Sequence, residues 1–370
     1  QPHPQAMKRA TALRSGRSHR HGFTLLELMI SMAVLAIIMV LVFQMLSATQ
    51  RAWSDSRARL STFKEARVAF ESITRRLSQA TLNTYWDYEF TGTGRSRRPI
   101  DYQKQSDLHF VCGETADLIG KGDIHPGHAV FFQAPIGFSV DEDNRGINDL
   151  LNGWGYYVEL NDGVKFAPSF LPRESVVRER YRLMEFRPPA EDLAVYKEDL
   201  KGTDVKSQSR IHAWFKENYD GKTTVGGLST PYEFSRPLAE NILLLLIEPR
   251  ESDANESASS SIAPDYFYDS REFQYAGGAS GSRPGDNKHT LPPLLDITMV
   301  AIDEESAIRY AQINGSMAGL VPEGLFKSVA SSRKDLEELE QHLRSKRVDF
   351  RVFHETVAIK ASKWGWVQPR

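Results

Sequence analysis

A long apolar segment near the N-terminus constrains this chain more than any other feature. From Phe23 to Leu46 the sequence carries a single charged residue, Glu27. As an α-helix this segment would extend about 36 Å at about 1.5 Å per residue, which exceeds the roughly 30 Å hydrocarbon core of a bilayer. The mean hydropathy of the whole chain is −0.42, which excludes a polytopic membrane protein. The pattern therefore predicts one membrane-spanning helix.

The residues before this segment are basic. Positions 7–21 read MKRATALRSGRSHRH and contain no acid, and Met7 is the expected start of translation. A cleaved secretory signal has a shorter apolar core that is followed by a small-residue cleavage site. Here the apolar segment is longer and runs into QMLSATQRAW, which offers no such site. A plain signal anchor fits the length but leaves Glu27 unexplained, because a carboxylate within an apolar helix is costly.

A third interpretation accounts for the leader, the glycine and the glutamate together. The motif Gly-Phe-Thr-Leu-Leu-Glu, followed by the apolar helix, resembles the prepilin signal of the type IV pilin and pseudopilin superfamily. In that family a membrane peptidase cuts after the glycine, and the new N-terminal residue is methylated. The resemblance implies cleavage between Gly22 and Phe23, and pairing of Glu27 with the Phe23 amine of a neighbouring subunit. A glutamate that snorkels from a simple anchor remains the alternative.

Later segments resemble two narrower groups. PLAENILLLLIEPR and LPPLLDITMVAID resemble the late strand pair of the minor pseudopilin J of type II secretion. Most of the chain is similar to the Verru_Chthon cassette protein C group, through segments such as ITRRLSQATLNTYWDY, NGWGYYVE and YRLMEFRPPAE. The biochemical role of that group is not defined. The resemblance therefore indicates a family but does not indicate which activity the chain has.

Helical periodicity continues beyond the apolar segment. Residues 47–83 contain neither proline nor glycine, and their apolar residues recur at helical spacings. The members of this stripe are Trp53, Leu60, Phe63, Phe70, Ile73 and Leu77. The sequence predicts one helix over 23–79, whose second half packs on a sheet.

After this helix, the sequence pattern is typical of short strands and loops. Predicted strands are 108–112, 129–133, 155–160, 181–186, 242–248, 294–302 and 348–359, and predicted helices are 303–313 and 332–346. Predicted loops are 92–98, 141–148, 200–209, 251–261 and 277–288. The pattern predicts an α+β fold, in which the long helix packs on an antiparallel sheet with long loops.

The predicted chain has four parts. Residues 1–22 form a cleaved cytoplasmic leader, and residues 23–46 form the transmembrane or filament-core half of the helix. Residues 47–80 form its amphipathic half, and residues 81–370 form a periplasmic globular head. No linker separates two self-contained cores within the head.

Composition narrows the classes of function. Lys+Arg 46 against Asp+Glu 48 gives a formal net charge of −2, so no nucleic-acid partner is expected. The single cysteine, Cys112, excludes an internal disulfide and a cysteine-built zinc site. GKT at 221–223 lacks the first glycine of a phosphate-binding loop, and HETVA at 354–358 lacks the second histidine of a zinc-protease motif. The chain is predicted to be no enzyme and to need no cofactor.

Two loops hold the weak candidates for a metal site. Asp141, Asp143 and Asn144 offer oxygen atoms of the kind that calcium prefers. His125 and His128 are close enough in sequence to share a metal. In both places an ordinary polar loop is the favoured interpretation.

Aromatic residues cluster in three places. For YWDY at 85–88 and WGYY at 154–157, packing in the core and across strands is favoured over binding of a polysaccharide or a protein. Trp364 and Trp366 are two residues apart and would face the same side of a last strand. They are predicted to form a docking patch.

These patterns predict a structural, pilin-like subunit of a type IV pilus or type II secretion-like assembly. The bulky head favours a minor or tip position. The expected partners are prepilin peptidase, other pilin-like subunits and inner-membrane lipid, and the head would lie in the periplasm or at a filament tip. The alternative is a signal-anchored periplasmic protein that binds a polysaccharide or an envelope partner and never assembles. An anchored hydrolase is disfavoured, because no catalytic constellation is complete.

Overall fold

The computed structural model describes residues 24–122, 124–144, 146–168, 170–172, 177–193, 212–216, 222–224, 231–251, 261–271 and 288–362. The α-helices in these ranges are α1 Leu25–Leu77, α2 Thr115–Ile119, α3 Ala213–Lys216, α4 Glu304–Asn314 and α5 Ser332–Ser345. The first strands are β1 Tyr85–Thr91, β2 Arg98–Gln105, β3 Val111–Glu114, β4 His128–Pro135, β5 Leu151–Asn161 and β6 Arg180–Phe186. The later strands are β7 Lys222–Thr224, β8 Pro231–Glu233, β9 Ser235–Glu240, β10 Ile242–Arg250, β11 Tyr268–Asp269, β12 Leu294–Ile302 and β13 Phe350–Ala358.

The chain divides into two compact units, residues 1–57 and residues 58–370. The described part of the first unit is almost entirely the beginning of α1. By length and composition, its stretch Leu25–Trp53 could cross a membrane, with a mean hydropathy of 2.8 over its most apolar window. The large apolar side chains of this stretch are exposed in the isolated chain. This agrees with the predicted single membrane-spanning helix.

The second unit is built from antiparallel sheets. The largest sheet has six strands in the order β11-β3-β4-β5-β6-β9, and a second sheet has three strands in the order β10-β12-β13. Strand β10 lies against β4, β5 and β6, so the two sheets pack on each other. With the long helix, this confirms the predicted α+β class.

The six-stranded sheet is buried on both faces. Val130 and Phe132 of β4 point into the larger core, which also takes in side chains from α1 and from the three-stranded sheet. The alternate residue Phe131 points into a smaller core, where it packs with Leu118 of α2 and Phe215 of α3. This alternation follows from the two-residue period of a strand.

The last turns of α1 pack as predicted, whereas Trp53 does not, and the side chain of Leu60 lies outside the described residues. Phe70, Ile73 and Leu77 are buried in the larger core. Near the end of α1, Arg76 forms an ion pair with Glu185 of β6. The prediction that Trp53 belongs to the buried stripe is wrong, since its side chain is 74% exposed. Trp53 instead ends the apolar stretch, a position where tryptophan is favoured at a membrane–water interface.

Most predicted elements of the second unit are confirmed. The predicted strands correspond to β3, β4, β5, β6, β10, β12 and β13, and the predicted helices correspond to α4 and α5. The α4 boundary has clear causes, because Asp303 accepts a hydrogen bond from Ser306 N and Gly315 ends the helix in a left-handed conformation. The elements that were not predicted are the strands β1, β2, β7, β8, β9 and β11 and the short helices α2 and α3. The predicted loop 200–209 and most of 251–261 and 277–288 lie outside the described residues.

The two aromatic clusters that could be compared behave differently. Trp154, Tyr156 and Tyr157 are buried, which confirms the core interpretation. For residues 85–88 only the cross-strand part of that interpretation is confirmed: Tyr88 packs on Tyr102, but Trp86 is 69% exposed and Tyr85 and Tyr88 are also exposed, so the cluster is not in the core. Among the described strands, β1 and β2 pair with each other and with no third strand. We call this two-stranded sheet the aromatic ribbon.

Candidate functional site

The N-terminal end of α1 is built around Thr24. Its hydroxyl oxygen accepts a hydrogen bond from Glu27 N at 3.3 Å. Its carbonyl oxygen accepts one from Leu28 N at 3.2 Å, which starts the helical ladder. Thr24 therefore caps α1, and Thr24 and Glu27 stand at the two positions of a capping box. Sequence reasoning missed this role, although T-x-x-E directly before an apolar run is its known signal.

Glu27 lies in the first turn of α1 and is exposed. A carboxylate is favoured there because the first turn carries the partial positive charge of the helix dipole. The bond at this helix end runs from Glu27 N to the Thr24 hydroxyl, and the Glu27 carboxylate takes no part in it. The carboxylate can therefore accept a cationic group from outside. Gly22 and Phe23, the predicted processing site, lie outside the described residues, as do Trp364 and Trp366.

The two histidines predicted as weak metal candidates are each engaged by protein groups. His125 Nδ1 lies 2.8 Å from Gly120 O, and its Nε2 lies 3.6 Å from Glu159 Oε2. His128 Nδ1 accepts a hydrogen bond from Ile247 N at 3.2 Å. Burial lowers the pKa of His128 to about 4. Both side chains therefore form contacts with protein groups in the interior of the second unit.

The acidic loop is organised by a carboxylate. Glu191 Oε1 accepts hydrogen bonds from Asn144 Nδ2 at 3.0 Å and from Asp141 N at 3.2 Å. Asp141 Oδ1 in turn accepts a hydrogen bond from Asp143 N at 3.0 Å. The pKa of Glu191 is lowered, because these and other donors outweigh the effect of partial burial. The loop thus turns hydrogen-bond donors towards an anion, which is the opposite of a cation-binding arrangement.

A different cluster of titratable groups lies between the six-stranded sheet and α3. Asp269 of β11 accepts hydrogen bonds from two histidines, His109 Nε2 at Oδ1 and His212 Nε2 at Oδ2, both at 2.8 Å. Asp269 Oδ1 also accepts one from Arg271 N at 2.8 Å. Asp269 and His109 are almost completely buried. We call Asp269, His109 and His212 the His-Asp-His cluster.

The three side chains are near enough to hold a metal ion, with potential ligand atoms all within 4.8 Å of one another. The hydrogen bonding argues against it. Trp214 Nε1, which can only donate, lies 3.1 Å from His109 Nδ1. Nδ1 must then be bare, so the ring is neutral, and burial shifts the pKa of His109 in the same direction, downwards. Its single proton is therefore on Nε2 and faces Asp269, where a metal would need a lone pair.

The Asp269 carboxylate is stabilised in its charged form. Burial alone would raise its pKa, but the two histidines and Arg271 N hold the pKa well below its usual range. The cluster therefore acts as a buried hydrogen-bonded bridge between β11, the chain before β3 and α3. Sequence reasoning missed it because His109 and Asp269 are 160 positions apart.

Comparison with known proteins found a match for the N-terminal segment. The family described as the prokaryotic N-terminal methylation motif matches residues 17–43. No curated protein matches the chain. The matched range contains the leader's last residues, the Gly-Phe-Thr-Leu-Leu-Glu motif and the first part of α1. Residues 17–43 are therefore a prepilin-type N-terminal segment of the type IV pilin and pseudopilin superfamily.

Proposed function

We propose that this chain is a minor or tip-located structural subunit of a type IV pilus or type II secretion-like assembly. The observation that carries the proposal is the prepilin-type segment at residues 17–43, joined directly to a helix long enough to cross a membrane. Such a segment implies processing by prepilin peptidase and assembly with other pilin-like subunits. The same features fit a signal-anchored protein of the inner membrane.

The proposal assigns roles to three residues. Cleavage falls between Gly22 and Phe23, and the α-amine of Phe23 is methylated. Glu27 is the assembly residue, whose carboxylate neutralises the Phe23 amine of a neighbouring subunit. Support comes from the exposed carboxylate in the first turn of α1. An ammonium and a carboxylate attract each other strongly in a low-dielectric setting, so one pair can set the register between two subunits.

The remaining assignments follow from the size of the second unit. A unit of residues 58–370, with several long connections, would hinder the tight stacking of a filament shaft and suits a minor or tip position. We place it on the periplasmic side. We assign it no catalytic activity, no cofactor and no nucleic-acid partner, and calcium at Asp141, Asp143 and Asn144 is disfavoured by the donors that surround Glu191.

The Glu27→Ala variant tests the assembly role. We expect it to insert in the membrane like the wild type but to appear at least tenfold less in the sheared filament fraction. The reason is that the Phe23 ammonium of the neighbour would lose its counter-ion. Because Thr24 caps the backbone N–H of residue 27, the substitution should leave the start of α1 intact.

Glu71→Ala is the matched control. Glu71 is an exposed glutamate of the same helix, and its carboxylate pairs with Arg67, one turn away. It should assemble normally. A Glu27→Ala protein that enters filaments at the wild-type level would contradict the assembly role and favour the alternative, a simple anchor that carries a binding head.

A further inference from the structure

The aromatic ribbon presents rings on one face. Trp86, Tyr88 and Phe90 alternate along β1, and Tyr88 lies directly opposite Tyr102 of β2. The Tyr88 and Tyr102 rings are 4.7 Å apart, and their hydroxyl oxygens are 3.2 Å apart. Trp86 and Tyr102 are 69% and 60% exposed. Exposed apolar patches of this kind mark interaction sites in soluble units.

The ribbon is held firmly at its base. Asn83 Oδ1 accepts hydrogen bonds from Asp107 N at 2.9 Å and from Leu108 N at 3.1 Å, which closes the two ends of the ribbon. Tyr85 Oη donates to Asp107 Oδ1 at 3.1 Å. Lys104 Nζ donates to Thr290 Oγ1 at 2.9 Å. An isolated two-stranded sheet is marginal in water, and these contacts keep its rings in place.

Charge divides the two faces of the ribbon. On the aromatic face, the Arg97 guanidinium lies 4.0 Å from the centre of the Phe90 ring, and Lys104 is opposite Trp86. Asp87 and Asp101 alternate with the aromatic residues and so belong to the other face. Each of these acids accepts a hydrogen bond from the N–H of the next residue. Arg98 is opposite Thr91 and shares that other face, whose charge is therefore mixed, whereas the aromatic face carries the cations Arg97 and Lys104.

We propose that the aromatic face binds an acidic polysaccharide, a polymer of sugar rings that carry carboxylates. The apolar faces of the sugars would pack on Trp86, Tyr88 and Tyr102, and the tyrosine hydroxyls would bond sugar hydroxyls. Arg97 supplies a planar donor that matches a carboxylate. The few cations beside the exposed rings match a polymer that carries one negative charge per sugar or fewer.

The same face fits a single-stranded nucleic acid poorly. A seven-residue strand extends about 23 Å. A single strand carries one phosphate per nucleotide and would place several phosphates along it. Arg97 and Lys104 could neutralise only two of them. Tyr88 and Tyr102 already pack on each other, which leaves no slot between these two rings for a base.

Binding of defined polymers to the full chain in detergent micelles tests this inference. The probes are polygalacturonate, neutral dextran and single-stranded oligo-dT, each titrated at low and high salt. We expect polygalacturonate to bind, with affinity that falls as salt rises. Trp86→Ala and Tyr102→Ala should each weaken binding at least tenfold, and Arg97→Gln should reduce both affinity and salt dependence.

Phe170→Ala is the matched control, because Phe170 is another strongly exposed aromatic residue, outside the ribbon, and its loss should not change binding. Thermal unfolding should be unchanged in all the variants. The inference is overturned by three results: no binding of polygalacturonate, binding that survives Trp86→Ala, or equal binding of dextran. Binding of oligo-dT that depends on Trp86 would instead assign the face to a nucleic acid. None of these outcomes bears on filament assembly, which the Glu27→Ala variant tests separately.

Discussion

The Asp269→Ala variant should lose about 3–5 kcal/mol of unfolding free energy, because a hydrogen bond to a charged group contributes about 1.5–3 kcal/mol and this carboxylate accepts several. Asp269 accepts hydrogen bonds from His109, His212 and Arg271 N, and its side chain is completely buried. Without the carboxylate these buried donors have no acceptor. Urea unfolding of the full chain in detergent, followed by tryptophan fluorescence, measures the loss.

Asp265→Ala is the control for this prediction. Asp265 is an exposed aspartate four residues earlier, and its carboxylate accepts a long hydrogen bond of 3.3 Å from Phe267 N. Its substitution should change stability by less than about 0.5 kcal/mol, as for most surface positions. An Asp269→Ala protein that unfolds at the wild-type urea concentration would show that the cluster does not stabilise the folded chain.

Acidification from pH 6.5 to pH 4 should destabilise the folded chain through its buried histidines. Burial lowers the pKa of His128 to about 4, and burial with nearby cations lowers that of His289 to about 4. In the unfolded chain these groups bind protons near pH 6.5, so protonation favours unfolding across this window. Each histidine contributes stability that is present above pH 6.5 and falls by up to about 3 kcal/mol by pH 4.

The His128→Asn variant isolates one of these contributions. Asparagine keeps an acceptor for Ile247 N but cannot take up the proton. Its unfolding free energy should therefore fall less steeply between pH 6.5 and pH 4 than that of the wild type. His354→Asn, at an exposed histidine on β13, should leave the slope unchanged. Identical slopes for wild type and His128→Asn would contradict the assignment of His128 as a buried neutral group.

Elements with a strong local pattern were predictable. The apolar run predicts α1, alternation identifies β12 and β13, and enrichment in β-branched and aromatic residues identifies β4 and β5. The aromatic ribbon was missed because exposure of Trp86 depends on whether another layer covers the strand. Local alternation is the same in either case. The prediction that Trp53 is buried was wrong for the same reason, since periodicity identifies one face of a helix but not what packs against it.

Some residues of the candidate sites could be predicted from the sequence and others could not. Gly22, Phe23 and Glu27 are neighbours in sequence, so one motif contains them. The His-Asp-His cluster assembles from distant parts of the chain, and only the pairing of β11 with β3 brings Asp269 near His109. Thr24 was within reach of sequence reasoning, because the capping box is a local signal.

The central claim is that this chain follows the pilin pathway, and the N-terminus of the mature protein tests it most directly. Intact mass and N-terminal peptide analysis would be made on protein taken from its native membrane, with a prepilin peptidase present. The account predicts a chain that begins at Phe23 with one methyl group on its α-amine. A membrane-inserted chain that still carries the residues before Gly22 would contradict it.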